Sequence, residues 1–310
     1  MSAQKFRLVT RSDFDGLVCA VLMNELELID DILFVHPKDM QDGKVAITGH
    51  DITTNLPYVA AAHLAFDHHH SETIRNEGER KNHIIHPDAP SAARVVYDYY
   101  GGKQRFPHVS DEMMEAVDKA DSARFSKEEV LNPEGWVLLN YLMDARTGLG
   151  RFRQFRISNY ALMMDLIRYC RDHGIEDILK LPDVVERIEL YREHEAKAKA
   201  QILNCSKVYQ NLVVLDLRDE DTIYAANRFL IYALFPQCNI SIHVMWGRDK
   251  QNTVLATGKS ILNRSSQTNI GELMLRYGGG GHENAGTCQV ENHEANAVLS
   301  ALTSKINQDG

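Results

Sequence analysis

Three short stretches in the first seventy positions carry residue types that bind metal: Arg11-Ser12-Asp13-Phe14-Asp15-Gly16, Gly49-His50-Asp51 and Asp67-His68-His69-His70. Each supplies carboxylate, and the last two add imidazole. Carboxylates held close together cannot all stay ionised without a cation, so a divalent ion is the simplest way to keep the three stretches in one place. The donors are mainly carboxylate oxygens, with some imidazole and no thiolate, which favours Mg²⁺ or Mn²⁺ over structural zinc. Asp13 and Asp15 are two positions apart, so an extended backbone puts them on one face, as ligands of one ion or of neighbouring ions. A fourth stretch, Val117-Asp118-Lys119-Ala120-Asp121-Ser122, offers one more carboxylate. Asp118 and Asp121 share a helix face at this spacing, and the choice between them stays open.

A second kind of chemistry lies near the other end. Gly278-Gly279-Gly280-Gly281 runs into His282. Four glycines after a helix form no regular element and let backbone N–H groups approach an anion closely. His282, Lys259 and Arg264 add donors and charge for such an anion. In the middle of the chain, Arg146, Arg151, Arg153 and Arg156 alternate with Phe152 and Phe155. That pattern suits either a short single strand bound through phosphates and stacked bases or a solvated surface with its aromatics turned inward.

The elements that must position these groups are legible from periodicity. Lys5–Thr10, Ile32–His36, Lys44–Thr48 and Ala62–Phe66 read as strands. Gly16–Leu28 and Ser91–Tyr100 read as helices, the second with Ser91 as its N-cap. Alternation of this kind predicts a mostly parallel sheet, whose ligands lie beyond the carboxyl ends of the strands. The three acidic stretches each follow one of these strands, and are expected to meet there. Residues 110–171 read as helical, and 184–203 as a polar helix that suits a connector. Asn211–Leu217, Ile240–Trp246 and Thr253–Ser260 then read as strands, with helices at Ala225–Ala233 and Ile270–Arg276. The expected organisation is a domain over 1–183, a helical linker over 184–207 and a smaller α/β domain over 208–310.

Composition limits the rest. The chain has 310 residues, 34 Lys and Arg against 43 Asp and Glu, and a net charge of −9. That argues against an electrostatic coat for long duplex nucleic acid. Five cysteines, an odd number with no C-x-x-C pair, read as reduced thiols in the cytoplasm. No apolar run approaches the length of a membrane span.

Together these residues resemble the DHH phosphoesterase superfamily, in the form with a C-terminal DHHA1 domain. Asp13-Phe14-Asp15-Gly16 is similar to motif I, Asp51 to the lone aspartate of motif II, and Asp67-His68-His69 to motif III. Asp121, with Asp118 as competitor, is similar to motif IV, and Gly279-Gly280-Gly281-His282 to the DHHA1 motif. The resemblance implies two α/β lobes: an N-terminal parallel-sheet DHH domain and a smaller DHHA1 domain, joined by the helical linker, with the active site in the cleft. It implies one or two Mn²⁺ or Mg²⁺ ions on Asp13, Asp15, Asp51, His68 and Asp121, with Asp51 bridging. It gives Asp67 the task of orienting His68, and His69 that of binding phosphate or protonating the leaving oxygen. Gly279, Gly280, Gly281, His282, Arg264 and Lys259 would hold the far end of the substrate. The implied reaction is hydrolysis of phosphodiester bonds in short oligonucleotides or nucleotides. Exopolyphosphatase or phosphoadenosine-type phosphatase action is the alternative, and a non-catalytic nucleotide sensor a third reading. The resemblance leaves room for a homodimer. One position departs from it: many members carry histidine two or four residues before the D-x-D, where this chain has Arg11 and Val9. Arginine stays protonated and does not ligate metal, which suits Arg11 to a substrate phosphate instead.

Overall fold

In the computed structural model the chain is described over residues 4–69, 72–73, 78 and 80–310; His70 lies outside these. Two compact units are present. The first comprises Met1–Arg124, Glu134–Ala145 and Leu149–Ile188, the second Phe125–Pro133, Arg146–Gly148 and Glu189–Gly310. The helix Pro182–Cys205 runs through the boundary.

The first unit is built on a five-stranded sheet of β1 (Phe6–Arg11), β2 (Ile29–Val35), β3 (Asp51–Thr54), β4 (Leu64–Asp67) and β5 (His83–Ile85). The order is β2-β1-β3-β4-β5 and every pairing is parallel. Leu8 and Val9 are both fully buried although they point to opposite faces, as expected for a strand covered on both sides. Helix α1 (Phe14–Glu25) follows β1 at once. Asp13 caps it by accepting the Gly16 N–H, and every residue from Phe14 to Met23 is buried. The turn needs glycine at position 16, because a Cβ there would lie 1.9 Å from the Arg11 carbonyl oxygen. Helix α2 (Pro37–Gln41) follows β2. Helix α3 (Ala92–Tyr99) is capped by Ser91 and helix α4 (Asp111–Asp121) by Ser110.

One strand is displaced from its expected place. Lys44–Thr48 forms no strand; β3 is the next run, Asp51–Thr54. Its register pairs Arg7 with Asp51 and Thr10 with Thr54. Asp51 therefore sits at the amino end of β3, and Asn55 follows its carboxyl end. The buried hydroxyls of Thr10 and Thr54 lock this register with a 2.7 Å bond across the pair.

The second unit holds a six-stranded mixed sheet of β6 (Ser206–Tyr209), β7 (Leu212–Asp216), β8 (Ile240–Trp246), β9 (Thr253–Lys259), β10 (Gly280–His282) and β11 (Ala285–Val290), in the order β10-β11-β9-β8-β7-β6. Only β7 and β8 pair in parallel. Ile240, Ile242, Val244 and Leu255 form its core with Ile270, Met274, Leu302 and Ile306 from the helices Ile270–Leu275 and Ala295–Asp309. The expected helix Ala225–Ala233 shortens to Leu230–Leu234. The Asn227 amide donates to the Val130 carbonyl and the Tyr191 hydroxyl, while its oxygen accepts the Phe229 N–H; these bonds hold the preceding backbone off the helix. The glycine run also differs from expectation. Gly280 and Gly281 are strand residues, paired with Thr287 and Gly286.

Among the described residues no helix is long and apolar enough to cross a membrane. All five cysteines are free thiols.

Candidate metal centre

At the carboxyl end of the first sheet, β1 delivers Arg11, Asp13 and Asp15, β4 delivers Asp67, His68 and His69, and the last turn of α4 delivers Asp121. Ligand atoms of Asp15, His68 and Asp121 all lie within 4.8 Å of one another, as do those of Asp67, His68 and His69. Asp15 is buried, and its two oxygens accept the Ala92 and Ala93 N–H groups at the start of α3, at 3.0 and 2.8 Å.

His68 is set up as a ligand. Its Nδ1 lies 3.1 Å from the Ala89 carbonyl, a contact that places a proton on that nitrogen and would leave Nε2 as the ligand atom once a bound cation displaces its own proton. Nε2 is buried and lies 2.8 Å from Asp121 Oδ2. Two ligands of one octahedral ion are about 3 Å apart, so this spacing fits a shared cation. Among the described residues the buried Oδ2 of Asp67 has no hydrogen-bond partner. Its Oδ1 accepts the His68 and His69 N–H groups and lies 2.7 Å from His69 Nδ1. Asp67 thus orients His69 rather than His68; the Ala89 carbonyl holds the His68 ring.

The electrostatics agree with a cation site. Burial, reinforced by the Asp121 charge, pushes the Asp15 carboxyl far above the usual range. Burial also opposes ionisation of Asp121, but His68 outweighs it and holds Asp121 low. On His68 burial opposes the charged form, and Asp121, with Asp15 and Asp67 behind it, pushes the imidazole up to about 9. Three carboxylates, Asp15, Asp67 and Asp121, crowd around two imidazoles here, and a divalent ion would let them all ionise.

Two of the candidate aspartates stand elsewhere. Asp51 is buried at the opposite end of the sheet, at the far end of β3 from Thr54. Its carboxylate accepts from Arg7 Nε at 2.6 Å and from the Thr48 N–H and hydroxyl at 2.7 and 3.0 Å. It cannot bridge ions at the carboxyl end. Taking Lys44–Thr48 as the strand puts Asp51 beyond a strand end that it actually precedes. Asp118 lies one turn before Asp121 and faces α3, accepting from Arg94 Nε at 2.9 Å, Arg94 Nη2 at 2.6 Å and Ser91 Oγ at 2.7 Å. Asp121 is the residue that faces His68.

Asn55, unforeseen from the sequence, occupies the carboxyl end of β3. It is buried with φ +55° and its amide nitrogen lies 3.1 Å from Asp13 Oδ1. The available signal was the β-branched pair Thr53-Thr54 before the Asn55-Leu56-Pro57 break.

In the second unit, Gly279 and Gly281 pack so tightly that a Cβ on either would lie 2.2 Å from the Thr287 or Ala285 carbonyl oxygen. His282 is exposed on this hairpin. Lys259 pairs with Glu283 at 3.1 Å, and the exposed Arg264 donates to the Ile261 carbonyl. In the arginine-rich stretch, Arg156 is paired with Asp183 at 3.0 Å. The Phe155 ring is covered by the buried Arg187 guanidinium at 4.2 Å, so that face is not open to a base.

No protein-family model matches the chain, and neither does any curated protein. Among solved structures, the pGpG-specific phosphodiesterase PggH from Vibrio cholerae is 67% identical, aligned over 99% of this chain and 100% of its own, with a TM-score of 0.86. RecJ from Thermus thermophilus, solved in complex with Mn²⁺, is 12% identical over 98% of this chain and 52% of its own, with a TM-score of 0.52; that likeness concerns the fold. The Asp-His-His stretch, the clustered carboxylates and the full-length identity to a phosphodiesterase together assign the chain to the DHH phosphoesterase superfamily, of which it is a member.

Proposed function

We propose that the protein hydrolyses the linear dinucleotide pGpG, with a Mn²⁺ or Mg²⁺ ion held by Asp15, His68 and Asp121. The observation that carries this reading is the 67% identity over essentially the whole of both chains to a phosphodiesterase described as specific for pGpG. The residues at the carboxyl end of the first sheet supply the chemistry. The ion, when bound, supplies Lewis-acid activation of the phosphate and of the attacking water.

The protein's own groups do the rest. Asp67 fixes the His69 ring through Nδ1, and so orients the imidazole to hold the phosphate or hand a proton to the leaving oxygen. The Ala92 and Ala93 N–H groups keep both Asp15 oxygens in one orientation. The hairpin of Gly279, Gly280, Gly281 and His282, with Lys259 and Arg264, binds the rest of the dinucleotide. Residues 1–183 act as the catalytic domain, 184–207 as the linker and 208–310 as the substrate-binding domain. The free thiols suit a cytoplasmic protein.

The test is a turnover panel with Mn²⁺. It compares pGpG with an adenine dinucleotide, longer RNA, a cyclic dinucleotide, 3′-phosphoadenosine 5′-phosphate and polyphosphate. Preference for pGpG is the expected result. Equal turnover of the adenine dinucleotide would remove the base specificity, and polyphosphate turnover alone would replace the reading with exopolyphosphatase action.

A further inference from the structure

A D-x-D pair invites two metal ligands, but in this chain the two carboxylates have different surroundings. Asp15 belongs to the cluster with His68 and Asp121. Asp13 does not; its oxygens already face fixed donors. Oδ1 accepts the Gly16 N–H at 3.0 Å and the Asn55 amide at 3.1 Å, and Oδ2 is paired with Arg11 Nε at 2.9 Å. The Asn55 amide can serve Asp13 only through its NH₂, since its oxygen would meet another acceptor. A carboxylate in place of Asn55 would face Asp13 at the same separation and call for a cation between them.

The cation already there is the Arg11 guanidinium. Its side chain is about one-third exposed, and Nε is the nitrogen turned to Asp13. With Nε fixed on Asp13, the two outer nitrogens form the planar fork that matches two phosphate oxygens.

We propose that Asp13 and Asn55 seat the Arg11 guanidinium in place of a metal ion, so that the centre takes one divalent ion per chain, and that the outer nitrogens of Arg11 hold non-bridging oxygens of the phosphodiester being cut. The second half rests on the phosphodiesterase reading above; the ion count does not. Arg11 thereby supplies the second positive charge from the chain itself, at a fixed position and independent of metal concentration.

The experiment is a Mn²⁺ titration of the full-length protein by calorimetry, with the bound ions counted by native mass spectrometry. Three proteins are compared: the unaltered chain, Arg11→Gln, and the double variant Arg11→His with Asn55→Asp. The unaltered chain and Arg11→Gln should each bind one ion, and the double variant two. Arg11→Gln should also lower kcat/KM on pGpG by about 10²-fold, and Arg11→Lys should regain only part of this, because an ammonium lacks the fork. Two ions in the unaltered chain would overturn the proposal, as would unchanged kcat/KM in Arg11→Gln. Should the double variant fail to fold, the count in the unaltered chain and in Arg11→Gln still decides. One bound ion without pGpG turnover would refute the phosphodiesterase reading and leave the ion count standing; two bound ions with pGpG turnover would refute the ion count alone.

Discussion

The two ends of the first sheet use the same residue type for opposite purposes. At the amino end, Asp51 is buried against Arg7 and Thr48. Burial works against its charge, but those bonds outweigh it and hold the carboxyl below the ordinary range. At the carboxyl end, burial itself raises the Asp15 pKa, no arginine offsets it, and the Asp121 charge raises it further. A buried carboxylate with its own arginine is a structural tie. One that shares its space with another carboxylate and an imidazole lacks a cation, and that deficit marks the functional end.

Asp15→Asn should have the largest effect. It removes a proposed ligand and should cost on the order of 10³-fold in kcat/KM, about 4 kcal/mol of transition-state stabilisation, and abolish Mn²⁺ binding. The thermal midpoint should move little, because the lost Ala92 or Ala93 bond is offset by relief of the repulsion between Asp15 and Asp121. Retained Mn²⁺ affinity would erase the contrast between the ends.

His69→Gln comes next. Loss of a positioned acid or phosphate contact should lower kcat by about 10²-fold with ion binding intact, and Asp67→Asn should lower it by roughly 10-fold to 100-fold through misorientation of His69. A loss of ion binding in His69→Gln would instead make that imidazole a ligand.

Asp51→Asn probes the other end. It should leave Mn²⁺ affinity and kcat unchanged and lower stability by about 2 kcal/mol, read as a drop in thermal midpoint. The pH sign follows from the depressed folded pKa. The tie is fully present above the unfolded carboxylate value of about 4 and is lost as pH falls through the lower folded value. The midpoint difference between the unaltered chain and Asp51→Asn should therefore shrink with acidification through that window. A difference independent of pH would place the effect in packing rather than in the ion pair.

Asp118→Asn should have the smallest effect. It weakens the tie to Arg94 by about 1 kcal/mol and leaves ion binding intact. Loss of Mn²⁺ from this variant but not from Asp121→Asn would exchange their roles.

Much of this contrast was legible in the sequence, though not evenly. Asp13, Asp15, Asp67, His68 and His69 lie beside strands whose apolar runs leave little freedom, so their convergence followed from sheet topology. Asp51 is harder to place because two β-rich runs, Lys44–Thr48 and Asp51–Thr54, compete for one strand position. Only pairing with β1 chooses between them, and that pairing is a tertiary fact. Asn55 is hidden by the same competition. Asp118 and Asp121 share a helix face, and Arg94, a residue without a motif, takes one of them. The Ala89 carbonyl that fixes His68 is backbone and has no signature in residue types.

The most direct test of the contrast is a Mn²⁺ titration of Asp15→Asn and Asp51→Asn side by side with the unaltered chain. The expected result is unaltered affinity in Asp51→Asn and no measurable binding in Asp15→Asn. Binding lost from Asp51→Asn while the protein stays folded, or kept in Asp15→Asn, would contradict the assignment of the metal centre to the carboxyl end of the sheet.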